Sequence, residues 1–98
     1  MAWFRCLICG ENLPGQLISE QYLIGFYLTR FVEATDAANA ESIALQRLRN
    51  EPKLAQLPKL AARNTVRVFF ESIDEVDLSS VPAIEPGFIF FPMEDTKS

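Results

Sequence analysis

Residues Leu23–Leu48, LIGFYLTRFVEATDAANAESIALQRL, decide the fold. As far as Ala34 the stretch is rich in β-branched and aromatic residues, and its hydrophobic period changes from two to roughly 3.6 at Thr35-Asp36, so it reads as strand, cap and helix. Within the strand, Ile24, Phe26, Leu28, Arg30, Val32 and Ala34 share one face, and Leu23, Gly25, Tyr27, Thr29, Phe31 and Glu33 the other. The first set is the better core face. Arg30 interrupts it, so its guanidinium has to reach the sheet rim with its stem on apolar surface, or meet a carboxylate such as Glu71. Thr35 or Asp36 caps the helix by accepting from a free N–H of the first turn. Ala37, Ala40, Ala44 and Leu48 then form a small-residue face flanked by Ile43, and Asn50 and Pro52 mark the end.

Working outward towards the N-terminus, Trp3–Cys9 alternates as a strand, with Phe4, Cys6 and Ile8 on one side and Trp3, Arg5, Leu7 and Cys9 on the other. Gly10, Asn12, Pro14 and Gly15 read as a loop closing a loose hairpin. On the C-terminal side, Pro52–Leu60 places Leu54, Leu57 and Leu60 at helical spacing around Pro58, a second helix of one or two turns. From Thr65 the pattern is extended. Val66, Val68 and Phe70 alternate, then the phase slips to Ile73 and Val76, which calls for a bulge near Glu71-Ser72. Asp77–Gly87 is a loop, Gly87–Phe91 a short strand ended by Pro92, and the tail from Glu94 is polar.

The order β-β-α-(short α)-β-β describes an α+β domain with a mainly antiparallel sheet and its helix on one face. One helix covers one side, yet most of the strands are apolar on both. Either the sheet curls towards a partial barrel around its Phe residues, or another subunit supplies the cover.

Ninety-eight residues suit one domain spanning 1–98, and eight Phe with 22 % charged residues describe a globule and exclude a disordered chain. The net charge of −4 makes nucleic acid an unfavoured partner, and no apolar run is long enough for a membrane span or a signal peptide, so a soluble, cytoplasmic protein is expected. The chain has no histidine, which removes the commonest general base and metal ligand.

Cys6-Leu7-Ile8-Cys9-Gly10 has the spacing of a zinc knuckle, but a closed site needs four ligands, so zinc would require Cys6 and Cys9 from each of two chains. A redox dithiol would want a helix after the first thiol, where Gly-Glu-Asn-Leu-Pro-Gly follows instead. Buried small hydrophobes in a strand are the favoured reading, with no metal and no cofactor. The acids Glu71, Asp74, Glu75 and Asp77 read as a charged sheet edge that discourages aggregation. Tyr27, Thr29 and Arg30, with Arg67, are a candidate polar site for an anionic ligand, and Tyr27, Arg30 and Glu71 a candidate pocket between helix and sheet; the favoured reading is ordinary sheet residues on a half-exposed face, with Arg30 paired to an acid such as Glu71. Trp3, Phe31, Phe88, Phe90 and Phe91 are candidate interface residues.

Gly10-Glu11-Asn12, Gly25–Ala34, Phe70–Val76 and Gly87–Pro92 together resemble a group of small bacterial proteins of unknown function. The resemblance covers most of the chain, implies a self-contained bacterial domain and carries over no site. No G-x-G-x-x-G, P-loop, G-x-S-x-G or H-E-x-x-H string occurs, and the expected function is a non-enzymatic, self-associating interaction module that forms a homo-oligomer and can take another protein as partner. The alternatives are a small-molecule binder or modest enzyme near Tyr27 and Arg30, and a nucleic-acid-binding small barrel.

Overall fold

Alternating apolar strands pair wherever a turn or crossover lets them, and here four of them form a single antiparallel sheet. The computed structural model describes residues 1–54 and 66–93. Strands β1 (Ala2–Leu13), β2 (Ile24–Ala34), β3 (Arg67–Val76) and β4 (Ile89–Pro92) stand in the spatial order β3-β1-β2-β4, with helix α1 (Ala37–Arg49) between β2 and β3 in the chain. The protein is therefore α+β, as its sequence patterning indicates. Two expectations are corrected. The strands do not lie side by side in chain order, and the sheet is open rather than curled into a partial barrel, because β3 and β4 sit at opposite edges.

β1 is longer than its alternation suggests. It continues through Gly10–Asn12, which reads as loop, to Leu13. The register passes from Gly10↔Phe26 to Leu13↔Ile24, so β1 carries one extra residue there, and Asn12 takes it up with φ 61°. Asn tolerates that left-handed conformation better than most residues, and the bulge turns Leu13 onto the core face, where it is fully buried. The bulge expected in β3 is present: Leu7 pairs with Ser72 and Ile8 with Phe70, leaving Glu71 as the extra residue. Ile73 thereby reaches the core, whereas Val76 pairs with Trp3 on the other face and is not an inward residue.

α1 begins where the period changes. The Asp36 carboxylate accepts from the Asn39 amide at 2.8 Å, satisfying one of the free N–H groups of the first turn. Ala40, Ala44 and Leu48 are its buried face, and they pack with Phe4, Cys6, Ile8, Phe26, Leu28 and Val32 of the sheet. Small side chains at these positions let the helix approach the strands closely. Ala37, by contrast, is exposed.

At the other end of this core three phenyl rings interlock. Phe88 meets Phe26 edge-on at 5.2 Å and stacks on Phe90 at 5.3 Å. Gly10, opposite Phe26 in the ladder, makes room for that ring: a Cβ there would overlap it. The expected second helix is represented by a single 3-10 turn at Pro52–Leu54, and the rest of that stretch and the polar tail lie outside the described residues.

Candidate functional site

Because successive side chains of a strand alternate, the residues opposite α1 follow from the register. Four cross-strand rows make up the second face: Glu33-Trp3-Val76, Phe31-Arg5-Asp74, Thr29-Leu7-Ser72 and Ile89-Tyr27-Cys9-Phe69. Phe91 lies beside them, its ring over Gly25 and 5.3 Å from that of Tyr27. Among the described residues no helix packs on this side, since the buried residues of α1 all belong to the opposite core. Trp3, Leu7, Phe31, Phe69 and Phe91 are half-buried, Tyr27 is 41 % exposed and Ile89 64 %. Polar groups are interspersed. Arg5 faces Asp74 at 3.5 Å, and Arg67 donates to Glu11 at 3.0 Å while lying over the Phe69 ring. Ion pairs this exposed add little stability.

The five candidate interface residues therefore divide. Trp3, Phe31 and Phe91 are on the second face, whereas Phe88 and Phe90 pack against the helix-side core. The candidate ligand residues divide too. Tyr27 and Thr29 are on the second face, Arg30 projects from the other, and Glu71 is exposed on β3, which β1 separates from β2.

Arg30 does not pair with Glu71. Its side chain, only 12 % exposed, meets Glu51 at 3.3 Å and Glu85 at 3.8 Å, and donates to the carbonyls of Thr29 and Pro86 at 3.0 and 2.8 Å. Arg47 shares Glu85 and donates to the Phe31 carbonyl at 3.2 Å. A partly buried guanidinium with its donors committed in this way holds the fold together and has little left for a ligand. Nothing in local patterning marks Glu85 as the partner, since it sits in a Pro-rich crossover far along the chain from either arginine.

Cys6 and Cys9 are free thiols on opposite faces of β1, both buried. Burial pushes both thiols above their ordinary pKa; nearby Glu41 adds to the effect at Cys6, and Glu11 and Glu71 at Cys9. Neither is placed to be a reactive thiolate. Among the described residues no group of three or more Cys, Asp or Glu is gathered as a metal site would be, and no helix is long and apolar enough to cross a membrane.

Fold and site thus define an α+β sheet protein with one helix-covered face and one mixed aromatic-polar face. Compared with known proteins, the chain matches no family model, no curated protein and no solved structure.

Proposed function

We propose that the protein is a non-enzymatic interaction module that pairs with a second copy of itself through the sheet face opposite α1. The observation that supports this is the placement of Trp3, Leu7, Phe31, Tyr27, Phe69 and Phe91 on one side of the sheet, where no described helix shields them. Aromatic side chains and arginine are what the centres of protein interfaces favour. The outer edges of the sheet are less suited to association. β3 carries Arg67, Glu71, Asp74 and Glu75 and a bulge, and β4 is four residues long and ends in Pro92, all features that discourage addition of another strand.

Charge on this face is mixed, with Arg5 and Arg67 interspersed among Glu11, Glu33 and Asp74, so it presents no field of a single sign to a second copy. Buried unpaired thiols fit a reducing compartment, so the cytoplasm is the proposed setting.

Sedimentation over a dilution series tests the reading. The expected result is a reversible dimer that Leu7→Glu or Phe31→Glu converts to a monomer with unchanged helical circular dichroism. A wild-type chain that sediments as a monomer at the highest concentration reached would end it.

A further inference from the structure

The register fixes where the charges of the open face stand. Glu33 lies beside Trp3 at one end and Arg67 beside Glu11 at the other, on the two strands that flank β1, with Leu7 midway between them on β1 itself. Arg5 is paired with Asp74. Among the described residues Arg67 meets its only acid, Glu11, through Nη1, and its side chain is 65 % exposed, so the other donors of the guanidinium are left to a neighbour. Glu33 is exposed and has no ion pair among the described residues. A lone carboxylate on a face that becomes buried needs a cation from the molecule that covers it.

Two copies that pair through the same face are related by a two-fold axis lying between them. Arg5 is a diagonal neighbour of Glu33, so an axis joining those two residues overlaps the copies only at the Trp3 end. Arg67 occupies the opposite corner, and an axis joining it to Glu33 passes over Leu7 and uses the whole face. Strand spacing and rise put Glu33 and Arg67 about 10 Å apart across the sheet and about 27 Å apart along it, a line inclined by about 20° to the strands. The two-fold doubles that inclination into a crossing of about 40° between the two sheets. Its hand follows from the backbone. The Leu23 carbonyl accepts from the Met93 amide, so odd-numbered residues of β2 turn their backbone groups towards β4, and for L-residues this fixes on which side of β2 each neighbour lies when the sheet is viewed from its open face. The crossing is then negative, close to the roughly −30° at which aligned sheets pack.

We propose that the second copy docks with the two-fold axis over Leu7, so that Glu33 of each copy meets Arg67 of the other and these two ion pairs set the orientation of the sandwich. This rests on the self-association reading and adds the partner's placement to it. Leu7 meets its own counterpart at the centre, and each Arg67 guanidinium bridges Glu11 of its own chain and Glu33 of the other.

The test is sedimentation equilibrium of the full chain carrying Glu33→Arg, Arg67→Glu or both, and of the two single variants mixed in equal amounts. Each single variant sets like charges together at both contacts and is expected to dimerise at least about tenfold more weakly than the wild type. The mixture has opposite charges at both contacts and recovers the dimer, as does the double variant alone. Circular dichroism checks that each variant is folded. If a reversal fails to fold, Glu33→Gln and Arg67→Gln in a double-mutant cycle take its place, and additive effects on dimerisation overturn the proposal. A wild-type dimer that the reversals leave unchanged, or weakened variants that gain nothing on mixing, overturns this placement while the face reading stands. A wild type that stays monomeric throughout ends both.

Discussion

Phe26 and Phe31 stand on the same strand and face opposite ways. Phe26 is fully buried among Phe88, Phe90 and the residues under α1, while Phe31 is half-buried beside Arg5 on the side without a described helix. Alternation alone makes two apolar sets of comparable size in β1 and β2; the set that becomes core is the one α1 lands on. The difference teaches that on this sheet the worth of an aromatic residue depends on what covers it.

The comparison breaks most readily at those two residues. Phe26→Ala should destabilise by about 3–5 kcal/mol, as full removal of a core phenyl does, and Phe31→Ala by about 1 kcal/mol or less in dilute, monomeric protein. Urea melts of the two variants check this, and equal losses would mean that the faces are energetically alike. A second contrast lies in the glycines. Gly10→Ala pushes a methyl into the Phe26 ring and should cost about 1–3 kcal/mol, whereas Gly87→Ala, with open space around it, should change stability by less than about 0.5 kcal/mol.

The thiols sharpen the comparison, because Cys6 is on the covered face and Cys9 on the other and both titrate upward on burial. A group whose folded pKa is raised keeps its proton after the unfolded chain has lost its own, so its stabilisation is complete below the ordinary thiol value of about 8.5 and falls as pH rises beyond it. Melting temperature measured from neutral to alkaline pH should fall above that point, and Cys6→Ala and Cys9→Ala should each flatten the decline. Similar flattening by both would show that Cys9 is as well shielded by Tyr27 and Phe69 as Cys6 is by the helix. The smallest effect is expected at Arg5→Ala: its pair with Asp74 is about half-exposed on both sides, and the loss in a chemical melt of the monomer should stay within about 0.5 kcal/mol.

Much of this architecture was legible from local patterning. The period change at Thr35-Asp36 placed β2 and α1, and the phase slip in β3 located the bulge at Glu71, because both are properties of a few neighbouring residues. The Gly10–Asn12 segment misled for the opposite reason. Its residue types suit a turn, and only pairing with β2 on one side and β3 on the other draws it into a strand. The candidate ligand set was legible only as residue types: Tyr27 and Thr29 follow from alternation, but whether Arg30 is available depends on what meets its guanidinium.

By itself the sequence determined which segments are extended and which helical, which side chains share a face, and that a single long helix has too little surface to cover both sides of the sheet. Those are consequences of backbone period and side-chain chemistry over short stretches. Tertiary structure alone decided that β3 and β4 take opposite edges, that Arg30 and Arg47 close on Glu85, and which cover each cysteine receives on its own face of β1. Such outcomes depend on contacts between residues distant in the chain, where many pairings satisfy the same local pattern and only the packed whole selects among them.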